Sequence, residues 1–80
     1  MRAGRVGQPQ PATVGIRDDG VPRMVDGSAV EAIREDWLVE DSWWTRRPLK
    51  RRYYELILDG GRRIVVFCDL VAGDWWKQRA

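Results

Sequence analysis

Four of the five tryptophans stand as adjacent pairs, Trp43-Trp44 and Trp75-Trp76, bracketing the basic run Arg46-Arg47-Pro48-Leu49-Lys50-Arg51-Arg52. The chemistry open to these residue types is recognition. Rigid aromatic rings anchor protein interfaces and stack on unpaired bases, and guanidinium and ammonium groups contact phosphates. Successive side chains on a strand face opposite ways, so each pair is expected to send one ring into a core and the other toward water or a partner. The candidate binding residues are therefore Trp43, Trp44, Arg46, Arg47, Lys50, Arg51, Trp75, Trp76 and Lys77. Four phosphate contacts from Arg46, Arg47, Lys50 and Arg51 would give a salt slope of about −3 on a single strand. Trp37 and one ring of each pair are expected to be core anchors, since aromatics dominate burial in small domains.

No constellation of residues for catalysis accompanies them, and no spacing argues for a carboxylate pair in metal or general acid work. It has no histidine, which removes the commonest general base and the commonest metal ligand together. Its single cysteine, Cys68, allows neither an internal disulfide nor a cysteine-based zinc site. Cys68 reads as a small strand residue rather than a reactive thiol. Asp59, Asp69 and Asp74 read as turn residues, and Gly60-Gly61 as a turn without the context of a phosphate loop. No enzyme, cofactor or metal is expected.

At 80 residues the chain is one domain, and a domain this small buries only about 60% of its unfolded surface. The net charge is +2, from 14 basic and 12 acidic residues, so the chain as a whole is not strongly cationic. The charges are segregated instead. Residues 46–52 carry five positive charges and no negative one, whereas residues 31–41 carry five acids and one arginine. Either patch could steer a partner of opposite sign. With no apolar signal region at the N-terminus and no run of about 20 apolar residues, a soluble cytoplasmic protein is expected, with no membrane contact.

Positioning these residues falls to a small sheet. Residues 1–27 are rich in glycine and proline and lack a hydrophobic period, so they predict a flexible tail with a short extended piece near Val21–Val25. Residues 28–80 are then the folded domain. For residues 28–41 the period alone does not separate helix from strand: Ser28 and Glu31 have capping-box spacing and Val30, Ile33 and Trp37 follow at helical intervals, yet Ile33, Trp37 and Val39 share strand parity. Arg52–Asp59 and Arg62–Asp69 predict a hairpin closed by a two-residue Gly60-Gly61 turn. That register sets Leu58 opposite Arg63, Leu56 opposite Val65, Tyr54 opposite Phe67 and Tyr53 opposite Cys68. It also gives the charge pairs Asp59–Arg62 and Arg52–Asp69, favourable across strands. A turn at Val71–Asp74 and a short strand from Trp75 to Gln78 complete a mainly β fold, an antiparallel meander of three to four strands. Both faces of the sheet are apolar, so each needs cover from the 28–41 segment, the tail, a second copy or another protein. Self-association into a homodimer is one way to supply it.

The order Trp37-Leu38-Val39-Glu40-Asp41-Ser42-Trp43-Trp44, Arg52-Tyr53-Tyr54-Glu55-Leu56, Asp59-Gly60-Gly61-Arg62, Val66-Phe67-Cys68-Asp69-Leu70, Gly73-Asp74-Trp75-Trp76 resembles a small uncharacterised bacterial family. Its motif order is similar to the C-terminal segment of the mutasome's Y-family polymerase-like subunit, the inactive scaffold of actinobacterial translesion synthesis. The resemblance spans residues 37–77. It implies a strand over residues 30–41 and an accessory role in DNA repair or translesion replication. The implied partner is an error-prone polymerase or mutasome subunit. Cys68 departs from the pattern, standing where the family's phenylalanine-arginine-aspartate motif has arginine, which puts that arginine's contact in doubt here. From a different class, the chain reads as a direct single-stranded nucleic-acid binder using the 46–52 run and a stacking Trp44 or Trp76.

Overall fold

Runs of β-branched and aromatic residues favour strands, and glycine at positive φ turns one strand into the next. The computed structural model describes residues 8–41, 44–46 and 48–79, and no helix occurs among them. Seven strands form one antiparallel sheet: β1 Gln10–Pro11, β2 Val14–Ile16, β3 Pro22–Val25, β4 Ser28–Asp41, β5 Leu49–Leu58, β6 Arg62–Asp69 and β7 Trp75–Arg79. Their order across the sheet is β1-β7-β6-β5-β4-β3-β2.

That order forces the sheet to curl. β1 and β2 lie at opposite edges, yet only Ala12 and Thr13 separate them in sequence. Six strand spacings of a flat sheet would hold the edges about 29 Å apart. The three Cα steps from Pro11 to Val14 reach at most about 11 Å. The sheet therefore closes toward itself as a curled half-barrel, and the strap is tied on both sides. The Ala12 amide donates to the Trp75 carbonyl at 3.1 Å, and the Asp26 amide donates to the Thr13 carbonyl at 2.8 Å. The Asp26 carboxylate accepts from the Thr13 amide at 2.9 Å and pairs with Lys77 of β7.

The sheet thus has seven strands rather than three or four, because residues 10–25 supply β1, β2 and β3, and β1 joins the far edge beside β7. The boundary expected at 27/28 falls inside a hairpin: Val25 pairs with Ser28 around an Asp26-Gly27 turn whose φ values are 49° and 87°. Positive φ at both central residues suits the two-residue turns that match strand twist, and aspartate followed by glycine is well suited to it. β4 is a strand throughout, which decides between the helix and strand readings of residues 28–41. Its helical-looking spacing has a specific cause. Register shifts between Val30 and Ala32 and between Ile33 and Glu35 leave Glu31 and Arg34 as extra residues. Val30 and Ile33, three apart, therefore fall on one face, opposite Leu58 and Leu56.

The β5–β6 hairpin also differs from expectation, by one residue. Leu58 faces Arg62, Leu56 faces Ile64, Tyr54 faces Val66, Tyr53 faces Phe67 and Arg51 faces Asp69, around the three residues Asp59-Gly60-Gly61. The Asp59 amide donates to the Ala29 carbonyl of β4 at 2.8 Å, pointing away from β6 and preventing an Asp59–Arg62 closing pair. Arg52 consequently pairs with Asp36 of β4 instead of Asp69. Inside the curl, Val25, Tyr54, Leu56, Leu58 and Val66 form the core, packed by Ala12, Val14, Val21, Val30, Ile64 and Trp75. The N-terminal strands are part of the cover that the inner face requires.

The Lys77 ammonium and the Thr13 amide hold the Asp26 carboxyl below its ordinary range. A depressed folded-state value means that stabilisation is complete above the unfolded aspartate range and is lost as pH falls through the folded value, hence below about pH 4. Asp26→Asn keeps a residue tolerant of positive φ and removes the charge. It is expected to lower stability at pH 7 by up to about 1 kcal/mol. Urea midpoints at pH 7 and pH 3 check this: the acid-side loss should be smaller in the variant, and an unchanged loss would remove Asp26 from the account.

Candidate interaction surface

Strand alternation divides the basic run between two faces. Lys50 and Arg52 lie toward the inner side, where Lys50 is 3.9 Å from Glu40 and Arg52 pairs with Asp36. With Ile16, Leu38, Tyr54 and Trp75 they line a cleft of about 630 Å³. Arg51 lies on the outer face. Arg46 and Trp44 are exposed on the β4–β5 connection, Trp44 at 68%. Trp43 and Arg47 fall outside the described residues. Lys77 is tied to Asp26. The described cations of the basic run are therefore not one continuous patch.

The Trp75-Trp76 pair divides as its parity predicts. Trp75 packs on the core, 5.9 Å from the Tyr54 ring, and Trp76 lies on the outer face. There it ends a row of aromatic side chains crossing four strands. Trp37 of β4 faces Tyr53 of β5, Tyr53 faces Phe67 of β6, and Phe67 faces Trp76 of β7. The ring centroids are 5.3, 4.9 and 6.5 Å apart in turn. The row spans three strand spacings, about 14 Å. Trp37 is on this outer face and 37% exposed, so it is not the core anchor expected. Tyr53 and Phe67 were not among the candidate residues either. The register that set Tyr53 against Cys68 hid the row, and a shift by one residue discloses it.

Charge flanks the row unevenly. The Arg51 guanidinium sits 4.5 Å over the Phe67 ring and its Nη1 donates to the Tyr53 hydroxyl at 3.3 Å. Its Nε is buried without a hydrogen-bond partner. On the other side of the row, Glu35 stands directly opposite Glu55, with Val65 and Gln78 continuing the line. Opposed like charges destabilise a strand pair, and neither glutamate has a salt-bridge partner among the described residues.

Asp69 and Cys68 stand at the end of β6. Asp69 accepts the Val71 and Ala72 amides at 2.9 and 3.0 Å, and these bonds hold its carboxyl below the ordinary range. Burial, then the carboxylates of Asp69 and Asp74, push the Cys68 thiol up, which disfavours the nucleophilic thiolate. Among the described residues, no three histidine, cysteine or acidic side chains gather as metal ligands would. No helix among them is long and apolar enough to cross a membrane. No family model, curated protein or solved structure matches the chain.

Proposed function

We propose that the chain is a non-enzymatic interaction module that docks a protein partner on the outer aromatic row. The observation that carries this reading is the unbroken line Trp37–Tyr53–Phe67–Trp76 on the face opposite the core. Rings of this size concentrate binding energy at interface centres. The Trp37 and Tyr53 planes are only 6° apart, so their ring faces are turned toward each other and their edges outward. Such edges suit apolar side chains better than the flat stacking of a base, which needs an open ring face. Glu35 and Glu55 beside the row would repel phosphates and welcome a lysine or arginine from a partner. The resemblance supplies the setting, an accessory role in translesion replication, with an error-prone polymerase or mutasome subunit as the partner.

The test is affinity capture from the host lysate with the tagged chain and with Trp37→Ala/Trp76→Ala, each with and without nuclease. The native chain should retain polymerase or mutasome subunits through nuclease treatment. The variant should lose them by about 30-fold or more, the effect of one hot-spot residue of about 2 kcal/mol, while keeping its far-ultraviolet spectrum. Equal capture by both forms would remove the row from the interface. A second reading draws on Trp44, exposed on the same connection as Arg46, an arrangement that suits stacking and phosphate contact by a single strand. Capture that vanishes with nuclease would favour it.

A further inference from the structure

A second surface lies away from the aromatic row. A cleft of about 780 Å³ opens beside the Asp26 seam, floored by Val25, Leu58 and Ile64 and edged by Arg62, Arg63 and Arg79. These arginines come from the start of β6 and the end of β7. Ile64 pairs with Arg79, which sets Arg79 diagonal to Arg62, about 7–8 Å between strands. All three are exposed, and none is paired with a carboxylate among the described residues. Among the described residues, the only acid lining the cleft, Asp26, is already bound to Lys77. Arg62 Nη2 donates to the neutral Ser28 Oγ at 3.2 Å. For a chain of net charge +2, three unneutralised guanidinium groups around one concavity are a marked concentration.

We propose that this cleft binds phosphate groups. Guanidinium forks match phosphate oxygens in pairs, and Gln8, Gln10 and Gln78 add neutral amide donors. Among the described residues no aromatic ring lines the cleft, so it reads the anion and not a base. A single-stranded nucleic-acid backbone and a free oligophosphate share this chemistry. The site is independent of the aromatic row, so either proposal can fail alone.

The experiment is fluorescence anisotropy of a labelled short oligothymidylate between about 50 and 200 mM salt, with inorganic tripolyphosphate as competitor. Three contacts predict a slope of about −2 for the native chain. Arg62→Gln/Arg79→Gln should weaken binding at least about tenfold and flatten the slope by more than about 1. The charge-keeping Arg62→Lys/Arg79→Lys should preserve the slope, and thermal melting should show both variants folded. Displacement by tripolyphosphate would assign the cleft to oligophosphates, and its failure would assign it to the extended backbone. The proposal is overturned if neither probe binds at low salt. It is also overturned if Arg46→Gln/Lys50→Gln abolishes binding while the cleft variant does not, or if polyglutamate competes as well as tripolyphosphate at equal charge.

Discussion

Leu56→Ala is expected to remove most of the protein's folding stability. Leu56 is fully buried on β5, the middle strand of seven, and faces Ile33 on one neighbour and Ile64 on the other. Truncating a buried leucine costs about 2–5 kcal/mol, the upper end where neighbours cannot collapse into the space. Strands held in register on both sides have little freedom to collapse. An 80-residue domain has about 4–12 kcal/mol in total. Urea unfolding followed by tryptophan emission would report this, because Trp75 packs against Tyr54 of the same core. Leu38→Ala is the comparison: Leu38 is on the neighbouring strand but 43% exposed, and should cost less than about 1 kcal/mol. Both side chains lie on the inner side, so equal losses would mean that burial at the centre of the sheet does not set the cost.

The strand content of the C-terminal half was legible because β-branched and aromatic residues alternate there and glycines separate them. The register was not, and magnitudes explain why. The sequence offers two opposite-charge pairs, Asp59–Arg62 and Arg52–Asp69, if Gly60-Gly61 is the whole turn. Exposed pairs of this kind contribute at most about 1 kcal/mol each. The observed register places Tyr54, Leu56, Leu58 and Val66 together inside the curl, and each fully buried large apolar side chain contributes about 1.5–3 kcal/mol. Packing outweighs the charge pairs, and a slip of one residue exchanges every side chain between faces. That slip is also what hid the aromatic row. In the N-terminal third, Asp26-Gly27 was a readable hairpin signal obscured by the surrounding glycine and proline. The pairing of β1 with β7 leaves no local trace, since Gln10 and Lys77 meet only once the sheet has curled. The three arginines of the cleft were unreadable as a group for the same reason: only the β6–β7 register brings Arg62 and Arg79 to one mouth.

Phe67→Ala should cost as much as a core truncation, although Phe67 is on the outer face. The side chain is only 2% exposed, because Tyr53, Trp76 and the Arg51 guanidinium close over it. Its removal is expected to cost about 3–5 kcal/mol as a buried aromatic. Part of that loss is the ring contacts themselves, about 0.5–1.5 kcal/mol per pair. Arg51 would also lose the surface that supports its buried Nε. Phe67→Leu separates stability from recognition. It keeps most of the apolar volume, for a cost under about 1.5 kcal/mol, but interrupts the line of rings between Tyr53 and Trp76. Denaturant midpoints and partner capture, measured on the same two variants, distinguish the roles. If the outer row works as one rigid surface, Phe67→Leu remains folded and captures its partner weakly, because Trp76 has lost the ring that orients it. Full capture by a folded Phe67→Leu would instead mean that the partner grips Trp37 and Trp76 separately, with Phe67 serving only to fill the space between them.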